Sequence, residues 1–396
     1  MIVEPKVKSF LCITAHPEGC AKNVQNQIAY VKSKGEIKNG CKCALVIGSS
    51  TGYGLASRIN AAFGCKSATV GVFFERNGDD AKSRCASAGW YNTAEFTRQA
   101  KAEGLYCANI NGDAFTDDIK NQAIQAIKAS PFGKVDLIVY SLAAPRRTDP
   151  KTGEVYKSVL KTVGEEYRAK SVDTDKDCIK DVVVPVATEK EVFDTVKVMG
   201  GDDWKLWIDA LDKAGVIAEG CTSVAYSYIG PKLTYPIYRE GTIGQAKKDL
   251  EKAAEQIDAV LKLYRGKAFV SVNKAIVTQA SSAIPVVPLY ISALYKVMKQ
   301  MNLHEDAIMQ INRLFATKLY NDNFLDFDDN GLIRIDDLEL KDEVQNAVFA
   351  MWNDITSVTL RELTDYDGYK KAFLGLFGFG VDGVEYGKDS KVQIDL

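Results

Sequence analysis

Histidine is nearly absent from this chain: His16 and His304 are the two among 396 residues. A metal centre on His16 and the nearby Cys20 would lack a third and fourth ligand, so that pair reads as structural. No C-x-x-C is present, and Cys41-Lys-Cys43 is a C-x-C. Nine cysteines scattered over a long chain do not form the dense framework of a small secreted domain; they point to free thiols in a reducing cytosol. The net charge of −2 carries no positive excess for nucleic acid or an anionic membrane surface. No apolar run reaches the length of a membrane span; the most apolar region, 283–297, is broken by Pro285 and Pro288 and reads as core or as the wall of a substrate channel. The opening Met1-Ile-Val-Glu-Pro-Lys has neither a leader nor a transit pattern, and the expected compartment is the cytoplasm. Repeats, linkers and low-complexity tracts are also missing.

What remains is ordinary soluble composition, 46% hydrophobic and 26% charged, enough for a large core. Short apolar runs at 44–47, 68–74, 106–110 and 135–140 predict strands. Helices are predicted between and after them, at 55–63, 93–103 and 117–129. That alternation predicts an α/β fold with a doubly wound parallel sheet. Residues 146–195 are polar, show no clean helical stripe, and read as an insertion on the loop side of the sheet. A helix at 202–211, a fifth strand ending near Ser227, a helix to 264 and a sixth strand at 268–272 follow. The last hundred residues read as helical except for a hairpin near 324–335. The whole chain, 1–396, is expected to form one enlarged domain, with 302–396 as a C-terminal addition.

Gly48-Ser-Ser-Thr-Gly52-Tyr-Gly54 lies between a strand and a helix. Glycines there let the backbone turn tightly and approach a pyrophosphate on the helix N-terminus. The G-x-x-x-G-x-G spacing is that of the short-chain dehydrogenase form of the Rossmann turn. Glu75 ends the second strand, where an acid accepts hydrogen bonds from the adenosine ribose and repels a 2′-phosphate; this favours NADH, with Arg76 beside it acting the other way. Gly112-Asp113-Ala114 and Ser141-Leu142-Ala143-Ala144-Pro145 follow the third and fourth strands on the same rim. Farther along, Tyr228, Tyr238 and Lys247 sit where a strand hands over to a helix. A tyrosine hydroxyl there can steady an oxygen that becomes negative during reaction.

These motifs, with His16-Pro-Glu-Gly-Cys20, Gly89-Trp-Tyr-Asn, Val198-Met-Gly-Gly-Asp-Asp-Trp and Ala280-Ser-Ser-Ala-Ile-Pro, occur in an order that resembles the trans-2-enoyl-CoA reductase family, which includes the FabV-type enoyl-ACP reductases. The resemblance covers nearly the whole chain. The family's signature is a tyrosine and a lysine separated by eight residues, and Tyr238 and Lys247 have that spacing. The resemblance implies that Tyr238 is the catalytic tyrosine, that Lys247 holds the nicotinamide ribose and that Tyr228 contacts the substrate thioester. It places NADH along Gly48, Ser49, Ser50, Thr51, Gly52 and Tyr53, then Phe74, Glu75, Asp113, Ala114, Leu142, Ala143, Ile276, Val277 and Thr278. It implies an NADH-dependent reductase of trans-2-enoyl thioesters without flavin or metal, acting as a monomer and favouring short enoyl-CoA such as crotonyl-CoA. Enoyl-acyl-carrier-protein is the rival substrate, and Arg146-Arg147 could form a basic patch for such a carrier. From other classes, a non-catalytic NADH sensor stays open. So does a calcium module, because Asp326–Asp337 resembles an EF-hand loop, against a hairpin turning at Asn330-Gly331.

Overall fold

A computed structural model describes residues 1–320 and 327–396. Seven strands form the central sheet: β1 (Cys43–Ile47), β2 (Ala68–Phe73), β3 (Cys107–Asn111), β4 (Val135–Tyr140), β5 (Ile217–Ser227), β6 (Lys267–Val272) and β7 (Ile333–Arg334). Their spatial order is β7-β6-β5-β4-β1-β2-β3, and every pairing is parallel. The order reverses between β1 and β4, which opens a crevice at the carboxyl ends of the strands. Register brings those ends level: Ile47 lies opposite both Val72 and Tyr140, and Ser227 opposite Val272.

The period-two alternation of the strands decides which helices cover each face. Leu45, Ile47, Val70 and Val72 pack with α4 (Asp117–Ala129), α6 (Asp202–Lys213) and α7 (Thr242–Leu261). Ala44, Val46, Leu137 and Val139 pack with α1 (Pro17–Ser33), α2 (Gly52–Ile59), α3 (Ala88–Ala102) and α9 (Ala307–Arg313). A third core gathers α8 (Val287–Gln300), α10 (Asp342–Trp352) and α11 (Tyr366–Gly375) beyond the crevice, and it includes Tyr238. No helix among the described residues is long and apolar enough to cross a membrane.

Two expectations need correction, and a third is described only in part. The stretch 146–195 holds two antiparallel hairpins, Arg146–Thr148 with Val155–Lys157 and Tyr167–Asp173 with Cys178–Val184, but it also contains the start of a helix, α5 (Glu189–Met199). A capping box between Thr188 and Glu191 starts this helix. Its buried face carries Asp194, Thr195 and Val198, and Val192, Val196 and Met199 stand at helical spacing along it, so the helix was legible in the sequence. The hairpin near 324–335 is seen in part, because residues 321–326 lie outside those described. Phe327 bridges Ile333 antiparallel, yet Ile333–Arg334 also pairs with β6 as a seventh parallel strand. Finally, Arg147 is not on the surface. Its guanidinium is buried, Nη1 donates to the Lys197 carbonyl (2.8 Å) and pairs with Asp202 (2.8 Å), and the group lies over the Phe115 ring. A two-arginine basic patch is therefore reduced to Arg146.

Candidate active site

One cavity of about 1000 Å³ runs along the carboxyl rim of the sheet. It is lined by Gly48, Ser50, Thr51, Gly52 and Tyr53 from the β1–α2 turn, by Phe74, Glu75, Asp113, Ala114, Leu142 and Ala143 from the next strand ends, and by Ile276, Val277 and Thr278 after β6. Tyr228, Tyr238 and Lys247 line the same space. Seventeen of the eighteen positions picked from the sequence thus converge there. Ser49 does not: it is buried, and its hydroxyl and backbone N–H both turn back to the Val72 carbonyl.

The cofactor end follows from the turn. Gly48 has φ +85°, and a Cβ there would lie 1.9 Å from the Ser141 carbonyl oxygen, so glycine is required. The α2 N-terminus then faces the cavity with Thr51 as its N-cap, in the arrangement that binds a pyrophosphate. Glu75 accepts from the Ser50 hydroxyl (2.7 Å), while its backbone N–H donates to Asn111 (2.8 Å). The carboxylate is thus held beside the turn, where a ribose would lie. Underneath Ala114, the buried Lys120 ammonium donates to the carbonyls of Ala114 (3.1 Å) and Phe115 (3.0 Å) and pairs with buried Asp203 (2.9 Å). The Trp207 indole donates to the Ala114 carbonyl as well, at 3.2 Å.

At the other end, Tyr238 closes a turn that starts at Lys232 and leads into α7. A Cβ on Gly244 would lie 2.0 Å from the Arg239 carbonyl oxygen, so glycine lets the helix press against the tyrosine's turn. The 146–195 segment braces that turn from outside: Thr242 donates to the Val159 carbonyl (2.5 Å) and Tyr167 to the Leu233 carbonyl (3.2 Å). The Tyr238 ring meets Tyr228 edge to face at 4.7 Å. Burial raises the Tyr238 pKa, so the phenol is neutral, and its hydroxyl has no hydrogen-bond partner among the described residues. Lys247, in the second turn of α7, donates to the Tyr226 carbonyl at the end of β5 (2.9 Å). Burial lowers its pKa to about 8, against a pull upward from Glu251.

The loop after β6 is pinned residue by residue. The N–H of Lys274 donates to Gln310 (2.9 Å), that of Ala275 to Glu339 (2.6 Å), that of Val277 to the Tyr295 hydroxyl (3.2 Å) and that of Thr278 to Ser281 (2.9 Å). Tyr53, from the glycine turn, donates to the Lys274 carbonyl at 2.7 Å. Lys274, Tyr295 and Glu339 were not picked from the sequence. Lys274 could have been, since it follows a strand end on the productive rim. Glu339 had no local signal.

The decoy motifs have internal partners. His16 caps α1, its Nδ1 accepting from the Gly19 N–H at 3.2 Å. Asp328 and Asp336 both pair with Arg334, at 3.0 and 2.6 Å, and Asp328 also accepts from the N–H groups of Asn330 and Leu332. Asp326 lies outside the described residues.

Comparison with known proteins gives three family matches in sequence order. Residues 2–80 match the NAD(P)H binding domain of trans-2-enoyl-CoA reductase, 84–320 the trans-2-enoyl-CoA reductase catalytic region, and 327–390 a segment described as an enoyl reductase FAD binding domain. An NADH enoyl-[acyl-carrier-protein] reductase of Opitutus terrae is 57% identical over 396 residues, covering 100% of both chains. An NADH trans-2-enoyl-CoA reductase of Ruminiclostridium cellulolyticum is 51% identical, covering 100% of this chain and 99% of the relative. The crystal structure of a Treponema denticola trans-2-enoyl-CoA reductase in complex with NAD superimposes with a TM-score of 0.95 at 47% identity, covering 100% of both chains.

Proposed function

The chain belongs to the trans-2-enoyl-CoA reductase family and is an NADH-dependent reductase of trans-2-enoyl thioesters; from that premise we propose the roles of its residues. Tyr238 is the catalytic donor, Lys247 holds the nicotinamide ribose and Tyr228 shapes the thioester pocket. The observation that carries this reading is the shared cavity: the Tyr238–Lys247 pair and the Gly48–Glu75 side line the same space. When bound, NADH supplies a hydride to C3 of the unsaturated thioester. Negative charge then gathers on the thioester oxygen, and a neutral Tyr238 hydroxyl with no acceptor among the described residues is free to donate to it. A proton from solvent entering the cavity is then added at C2 and completes the saturated thioester. Lys247 orients the cofactor's ribose and keeps the local field positive. The direct test is NADH oxidation at 340 nm with crotonyl-CoA. Turnover is expected; a protein that binds NADH but reduces neither crotonyl-CoA, longer enoyl-CoA nor enoyl-carrier protein would overturn the reading.

Among carriers we favour short enoyl-CoA. Burial of Arg147 dismantles the basic patch that an acidic carrier protein would use, and the sequence pI is about 5.9. The carrier-protein reading is supported by the name of the Opitutus terrae relative. The ratio of kcat/KM for crotonyl-CoA and crotonyl-carrier protein decides between them.

We assign no flavin to residues 327–390. The aromatic residues there, among them Trp352, Tyr366, Tyr369 and Phe373, are buried in the core around α8. Ala372, Gly375, Leu376 and Phe377 are the positions of that segment that reach the cavity. These four positions offer no polar side chain for an isoalloxazine edge. Purified protein should show no absorbance near 450 nm and no thermal shift with added FAD. Because the one sheet draws strands from all three matched segments, we also treat the chain as a single unit. Cytoplasmic residence, supported by nine free thiols, and a monomeric state are part of this proposal; light scattering on an eluting peak tests the latter.

A further inference from the structure

Glu339 lies outside the cavity, between β7 and α10, and is completely buried. One of its oxygens accepts from the hydroxyls of Tyr228 (2.9 Å) and Tyr290 (2.7 Å). The other accepts from the Ala275 N–H (2.6 Å). Gln345 braces the group, donating to the Glu339 carbonyl (2.6 Å) and to the Tyr290 hydroxyl (3.2 Å). A buried carboxylate is costly to keep without compensation. Burial raises the Glu339 pKa, while the buried Lys274 ammonium and the three donors act the other way, and one of those donors, Tyr228, lines the active-site cavity.

An ionised carboxylate only accepts. The Tyr228 proton is therefore committed to Glu339, and its oxygen offers a lone pair, not a proton, to the cavity. That leaves Tyr238, packed edge to face against it, as the donor to the thioester oxygen. The same carboxylate fixes Ala275, which immediately precedes Ile276, Val277 and Thr278 on the cofactor side of the cavity.

We propose that Glu339 is a positioning residue that joins the substrate tyrosine to the nicotinamide loop, so that one carboxylate sets both walls of the reaction chamber. It acts through Tyr228 on the chemical step and through Ala275 on cofactor affinity. The inference rests on the reductase reading given above, which wild-type turnover tests separately.

A double-mutant cycle tests it. Glu339→Asp keeps the charge near Lys274 but is one methylene too short to reach both walls. It should lower kcat at least about tenfold and raise the NADH dissociation constant at least about threefold, the latter read by NADH fluorescence without thioester. Tyr228→Phe should lower kcat while leaving NADH affinity unchanged. The double variant should show the kcat of Tyr228→Phe with the NADH affinity of Glu339→Asp. A merely structural role would lower the melting temperature and the active fraction, with kcat per NADH-binding site unchanged. The proposal is overturned if Glu339→Asp keeps both constants within about twofold of wild type, or if the two substitutions multiply in kcat. Should the aspartate variant not fold, Glu339→Gln keeps the length, drops the charge and enters the same cycle. Wild-type silence with every enoyl thioester would count against the reductase reading instead.

Discussion

The rings of Tyr228 and Tyr238 stand nearly perpendicular, at 86°, with centroids 4.7 Å apart, although their hydroxyls have different fates. One hydroxyl is tied to Glu339 at 2.9 Å; the other has no partner among the described residues. The division of labour gives the first prediction. Tyr238→Phe should lower kcat with crotonyl-CoA on the order of 10²-fold or more, the usual cost of one oxyanion donor, while NADH affinity stays at the wild-type value. An equal fall in NADH affinity would instead mean that Tyr238 serves the cofactor.

Lys247 sets a pH limit. In the free enzyme its ammonium is charged below about 8 and is lost as pH rises through that value. The kcat/KM for NADH should therefore fall above about pH 8, approaching tenfold per unit. Lys247→Arg, which does not titrate in this range, should remove the falling limb. Persistence of the limb in that variant would assign it to another group, with Lys274, also held near 8, first in line. On stability the sign is opposite. Between about 8 and the ordinary lysine range the unfolded chain binds the extra proton, so the Lys247 contribution to stability rises with pH.

Glu75 is expected to choose the cofactor. Its carboxylate is held by Ser50 beside the glycine turn, where it would repel a 2′-phosphate. Glu75→Ser should raise the ratio of kcat/KM for NADPH over NADH at least about tenfold, a change of roughly 1.4 kcal/mol in discrimination. An unchanged ratio would move the selection elsewhere.

Asp203 and Lys120 form a pair whose side chains are 1% and 3% exposed. Asp203→Ala strands a buried ammonium and should cost about 3–5 kcal/mol of stability, read from the urea midpoint. Because Lys120 also grips the Ala114 and Phe115 carbonyls, NADH affinity should weaken in the same variant.

Much of this was legible in the chain. The parallel sheet could be read because buried strands are short apolar runs between glycines, and the β1–α2 turn because only glycine fits at Gly48. The Tyr238–Lys247 spacing pointed to two residues that line the far end of the cavity. What could not be read depends on partners distant in sequence. Arg147 looks like a surface cation until Phe115, Lys197 and Asp202 close around it. Ser49 sits in the right motif, yet strand pairing turns it toward Val72. The β7 strand is two residues long, too short for any period to register. Glu339 stands in Asp336-Asp-Leu-Glu-Leu-Lys341, a string of charges typical of solvent-facing chain.

The bond between Tyr228 and Glu339 spans 111 residues. During synthesis the glycine turn, Glu75, Tyr238 and Lys247 all leave the ribosome well before that carboxylate exists. The N-terminal strands can pair and the nucleotide cleft can form while the chemical end still lacks its brace. Completion of the chamber is thus deferred until β7 has zipped onto the sheet's margin, so that competence to reduce is acquired late in the life of the nascent chain.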